Sequence, residues 1–104
     1  LYEATITSCR PMPGNTVKRI LTYEVLSSTD WQPKGAYDYF QPNVFIDISS
    51  QFQKKMQALN IYSSEMREWP HSRSIKAVEH LARLRGSQVG KEAVEAFNLI
   101  REID

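Results

Sequence analysis

The stretch SSTDWQPKGAYDYFQPN, residues 27–43, constrains the fold of this chain more than any other. Two prolines and a glycine make it the longest irregular segment. Four aromatics, Trp31, Tyr37, Tyr39 and Phe40, give it too much apolar surface for a disordered linker. A loop of this length inside a small domain is usually functional. It either packs on its own domain or borders a pocket or a partner.

Regular structure is expected on both sides of that segment. Residues 17–26, VKRILTYEVL, are dense in β-branched and aromatic side chains and predict a largely buried strand. Residues 44–49, VFIDIS, alternate, with Val44, Ile46 and Ile48 on one face and Phe45 and Asp47 on the other. Upstream, Tyr2, Ile6 and Cys9 fall at helical spacing over 1–9, and Arg10-Pro11-Met12-Pro13-Gly14-Asn15 ends that helix. Downstream, Ser50 with Gln53 reads as a capping box. It opens a helix to about 63, whose apolar face is Phe52, Met56, Leu59 and Tyr62.

A second helix is expected over 72–85, with Ser72 as N-cap and Gly86 as its C′ stop. Arg83 and Arg85 would sit against the negative end of its dipole. Residues 94–103 fit a helix or a strand about equally. The sum is one α/β domain of 104 residues, 1–104, with few strands and three or more helices. A parallel pair in so thin a sheet leaves an edge bare, as in one flank of a larger sheet, and a bare edge offers a route to a homo-oligomer.

Charge and composition exclude several function classes. Thirteen basic residues against twelve acidic ones leave +1, spread along the chain, with no electrostatic footprint for nucleic acid. No apolar run approaches the roughly 20 residues of a membrane span. Cys9 is the only cysteine, which precludes an intrachain disulfide and favours a cytoplasmic compartment.

Chemistry-bearing residues are few. The only histidines are His71 and His80, with no HxxH, HExxH or CxxC spacing, so no self-contained metal centre is expected. No phosphate loop or nucleophile elbow occurs, and Cys9 falls on the expected inner face of its helix. Glu24 lies near the carboxyl end of the first strand, where ligands gather in open α/β sheets, or else it is salt-bridged or exposed. Glu65 follows the helix ending near 63 and reads equally as a solvated helix-end carboxylate.

Taken in order, LYEATITSCRPMPGNTVKRILTYEVLSSTDW, QPNVFIDIS, KKMQALNIYSSE, WPHSRS, LARLRGSQVG and EAF resemble the C-terminal part of the PIG-L/LmbE family, zinc-dependent hydrolases that deacetylate N-acetylglucosamine-type sugars. The match spans essentially the whole chain. It implies a Rossmann-like domain and metal-assisted amide hydrolysis, in which zinc activates a water and an aspartate acts as general base. The family's metal motifs, of HPDD and HxxH type, do not occur here. The resemblance places the start of this chain just past the last zinc ligand, so the chain is expected to be a fragment, inactive alone.

The element YSSE matches the family's H-x-S-Q/E at Ser64 and Glu65, while Tyr62 replaces the histidine. It is similar to a sub-branch with Y-x-S-E followed by PH-x-RS. There Glu24, Ser27 and Ser28 would line the pocket rim, and His71 would contact substrate or a neighbouring subunit. The resemblance thus implies a substrate pocket of Glu24, Ser27, Ser28, Tyr62, Ser64, Glu65 and His71, an N-acetylated sugar conjugate as ligand, and no catalytic or metal residue in this chain. The alternative is a stand-alone, non-catalytic binding or oligomerisation module descended from that family.

Overall fold

The computed structural model describes residues 2–25 and 40–104. Helix α1 spans Tyr2–Ser8 and strand β1 spans Arg19–Tyr23. Strand β2 covers Val44–Asp47, helix α2 Phe52–Ile61, helix α3 Ile75–Ser87 and strand β3 Val94–Glu102. The described residues therefore form a mixed α/β structure of three helices and one small sheet.

Between α1 and β1 the turn chemistry works as the sequence suggests. Gly14 takes φ +90°, open only to glycine at little cost. The side chain of Asn15 donates to the Arg10 carbonyl and accepts from the Val17 amide at 2.8 Å, closing the turn. Arg101 Nη2 donates to the Cys9 carbonyl and ties the end of α1 to the far end of β3. Cys9 itself is only half-buried, and α1 has no buried residue, so the expected inner face is not formed there.

The ambiguous C-terminal segment is the central strand. Sheet order is β1-β3-β2, and both pairings are antiparallel. This corrects the expected parallel pair. Helical and strand patterns were nearly degenerate over 94–103, and two flanking strands decide between them, because a central strand satisfies its backbone on both sides. Tyr23 and Val44 both stand opposite Phe97, so the three form a row across the sheet. A register shift between Ile20 and Leu21 breaks the β1 ladder. Asn43 extends β2 by one step: its side chain accepts from the Leu99 amide at 2.8 Å, and its own amide donates to the Phe97 carbonyl at 2.9 Å.

The helix caps differ from expectation. Ser50 and Gln53 make no capping box. Instead Asp47 Oδ1 accepts from the Ser49 amide at 3.0 Å and from Ser49 Oγ at 2.5 Å. A 3₁₀ turn over Ser49–Gln51 then feeds α2, which ends at Ile61, short of 63. The N-cap of α3 is Ser74, not Ser72. Its Oγ accepts from the Ala77 amide at 3.0 Å, while Ser72 Oγ is buried with no hydrogen-bond partner. Both serines precede the apolar stripe, and spacing alone did not separate them.

Gly86 is not a stop signal but a packing residue within α3. A Cβ there would collide with the carbonyl oxygen of Lys91, so only glycine lets the backbone following α3 approach this closely. The turn is completed by Gly90 at φ +73° and by the Val89 and Lys91 amides, which donate to the Gly86 carbonyl at 3.0 and 2.9 Å. Beside it lies the core: Ile48, Phe52, Ala82 and Ala93, with Met56 packed against them. Small residues at 82, 86 and 93 bring helix and strand together, and Phe52 fills what remains.

Candidate functional site

Between α3 and the sheet lies a cavity of about 230 Å³. Its shape follows from the sequence of α3. Val78, Leu81, Ala82 and Arg85 recur at helical spacing on the face toward β3. Leu81 and Val78 leave space over the sheet, where Val94 and Ala96 are buried. The walls are thus apolar along the helix and the central strand, with Tyr23 and Phe97 at one side.

Two ion pairs complete the lining. Glu24 immediately follows β1, and Arg85 lies in the last turn of α3. The guanidinium meets the carboxylate in a two-point fork, Nε to Oε1 at 2.8 Å and Nη2 to Oε2 at 2.9 Å. Side-chain exposures of 15% for Arg85 and 13% for Glu24 make this a partly buried pair, and the fork holds it at two points. Hydrogen bonding to Glu24 raises the Arg85 pKa above its ordinary value against the opposing effect of burial. Arg85 also donates from Nη1 to Gln88 Oε1 at 3.1 Å and lies 5.7 Å from the Phe40 ring centre. The second pair, Lys55 Nζ to Glu95 Oε1 at 3.1 Å, is more open to solvent and joins α2 to β3.

The site residues expected from sequence separate into three groups. Glu24 lines the cavity. Ser27 and Ser28 lie outside the described residues. Tyr62, Ser64, Glu65 and His71 do not line the cavity. Tyr62, expected on the inner stripe of its helix, is 64% exposed because α2 ends one residue before it. Ser64 and Glu65 are exposed in a 3₁₀ turn over Ser63–Glu65. His71 is half-buried, and its Nδ1 accepts the Arg73 amide at 3.0 Å, a local turn contact. Close by, Trp69 meets His80 edge-on at 5.0 Å, so His80 serves as packing surface for an indole.

Arg85, Lys55 and Glu95 were not among the expected site residues. Arg85 does lie in the last turn of its helix, and nothing in the local pattern tells a dipole-facing arginine from one that also reaches a carboxylate 61 positions away. A signal was available for Glu24, whose place at a strand end required either a partner or solvent.

Among the described residues, no group of three or more His, Cys, Asp or Glu side chains stands together that could hold a metal ion. Among them, too, no helix is long and apolar enough to cross a membrane. No model of a known protein family, no curated protein and no solved structure matches the chain.

Proposed function

We propose that this chain is the C-terminal portion of a zinc-dependent N-deacetylase of the PIG-L/LmbE type, acting in the cytoplasm on N-acetylglucosamine-type sugar conjugates. In this reading the chain belongs to a Rossmann-like domain and shapes the substrate cavity. The described residues do not fit a zinc site, so the reading assigns them the cavity alone and routes no chemical step through them. One observation supports it. Glu24, which the resemblance puts at a pocket rim, borders a cavity of about 230 Å³ that has apolar walls, two aromatic side chains and hydrogen-bonding groups at its edge. A sugar ring needs that combination, with apolar area for its C–H face and polar groups for its hydroxyls.

Acetate release from N-acetylglucosamine conjugates tests the reading. The natural protein that carries this segment is expected to release acetate and to stop when zinc is chelated. The isolated 104-residue chain is expected to release none. Turnover by the isolated chain with stoichiometric zinc overturns the division of labour. Absence of acetate release from every such conjugate by the natural protein overturns the reading altogether.

A further inference from the structure

The two outer strands of the sheet are built differently. β2 is short and ends at Asp47, which accepts from Ser49 as the chain turns into its 3₁₀ segment. β1 is longer, holds no proline and has no bulge of its own. The residue left over at its register shift, Ile100, lies on β3, so β1 runs unbroken. The Lys18 carbonyl accepts from the Ile103 amide at 2.8 Å. Alternation along the strand then turns the backbone groups of Ile20 and Thr22 toward β3 and those of Arg19, Leu21 and Tyr23 outward. Among the described residues, no strand meets β1 on that outer side. The surface beside it is apolar: Tyr2, Ile6, Leu21 and Tyr23 line a groove of about 270 Å³ between α1 and β1, and Tyr23 is 65% exposed.

The residues of β1 determine what fits this edge. When two copies of a strand pair antiparallel about a two-fold axis perpendicular to the sheet, every side chain keeps its face, so a residue must lie on the axis. An axis through Leu21 sets Leu21 opposite itself, Ile20 opposite Thr22, Arg19 opposite Tyr23 and Lys18 opposite Glu24. That yields an apolar contact, a guanidinium against an aromatic ring and an opposite-charge pair. Glu24 keeps lone pairs beyond its fork with Arg85. Moving the axis to Ile20 sets Lys18 opposite Thr22, and moving it to Thr22 sets Glu24 opposite Ile20, so only Leu21 matches the charges. We infer that β1 pairs with β1 of a second copy of this chain about an axis through Leu21, joining the two sheets into one. The inference stands apart from the sugar reading.

Sedimentation of the 104-residue chain is expected to show a dimer that dissociates on dilution. Cysteine crosslinking on a Cys9→Ser background fixes the register. Leu21→Cys is expected to form an intermolecular disulfide on mild oxidation, because its two Cα atoms stand about 5.5 Å apart across the axis. Arg19→Cys alone and Tyr23→Cys alone are expected to form none, each lying about 14 Å from its own copy, whereas a mixture of the two is expected to crosslink. Lys18 is exposed, and Lys18→Glu sets like charges at Glu24 of the second copy. It is expected to raise the dimer dissociation constant at least about tenfold, and it decides the matter if Leu21→Cys does not fold. A monomer at every concentration, crosslinking of Arg19→Cys alone as efficient as that of Leu21→Cys, or an unchanged dimer in Lys18→Glu overturns the inference. So does a Leu21→Cys crosslink that forms in the 104-residue chain and not in the natural protein that carries this segment, where another strand then holds the edge.

Discussion

The seam between α3 and β3 and the connection from Ile61 to Ser72 sit side by side in the chain but are built on opposite principles. At the seam, Ala82, Gly86 and Ala93 draw backbone toward backbone, Val94 is 2% exposed, and a partly buried fork joins Arg85 to Glu24. Along the connection, Ile61 is 80% exposed, Tyr62 64% and Trp69 51%. Motif-like residues crowd the second region, whereas the cavity belongs to the first. Conspicuous spelling in a sequence and physical convergence in a fold are therefore separate properties, and here they point to different places.

Substitutions can break or sharpen that contrast. Phe52→Ala, at 5% exposure, should cost about 3–5 kcal/mol by leaving a void beside Ala82 and Ala93. A clear effect is expected from Arg85→Met, which leaves Glu24 partly buried without its forked partner and should cost about 1–3 kcal/mol in urea unfolding. Its neighbour provides the control. Arg83 pairs with Glu92 at 3.3 Å in an exposed setting and lies 4.7 Å over the Phe52 ring, so Arg83→Met should cost about 1 kcal/mol or less. Equal losses at 83 and 85 would dissolve the distinction between the two sites.

Next comes Gly86→Ala, with an expected loss of about 1–3 kcal/mol, since the added methyl meets backbone rather than a yielding side chain. A neutral outcome there would show that α3 can slide. Ser74→Ala removes the Ala77 bond at the start of α3 and should cost about 1 kcal/mol. Tyr62→Ala should change stability by no more than about 0.5 kcal/mol. A loss above about 2 kcal/mol at Tyr62 would mean the connection is packed after all.

Acid adds a finer test. Hydrogen bonds from Ser49 hold the Asp47 carboxyl below its ordinary value of 3.8. The unfolded state therefore binds the proton more readily than the folded state. The contribution of Asp47 is fully present above its unfolded pKa and is lost as pH falls through the lower, folded one. Asp47→Asn should therefore lower stability at neutral pH, flatten the stability profile in that acidic window and converge with the unaltered chain below it, as followed by thermal melts at stepped pH.

Much of the fold was readable from local chemistry. The break at Pro11–Asn15, the strand character of 19–23 and 44–47 and the apolar stripe of α3 follow from spacing and turn residues. What could not be read depends on distant contacts. Residues 94–102 became a strand because β1 and β2 flank them. Gly86 resembled a helix stop, yet its role is set by Lys91 after the chain turns back. Glu24 lies just past the end of β1, and the salt bridge its position allowed is the one it makes. Arg85 lies in the last turn of α3 as its spacing indicates, but its partner could not be read because a side chain's reach across 61 residues leaves no periodic trace.

Gly86 has one further consequence. Because the backbone of Lys91 and Glu92 closes directly on it, it fixes how near α3 lies to the chain that enters β3. Farther along the helix Val78 and Leu81 border the cavity. Trading those two residues for larger or smaller ones should therefore retune the room inside while the helix stays docked. That makes this architecture adjustable at one end and locked at the other.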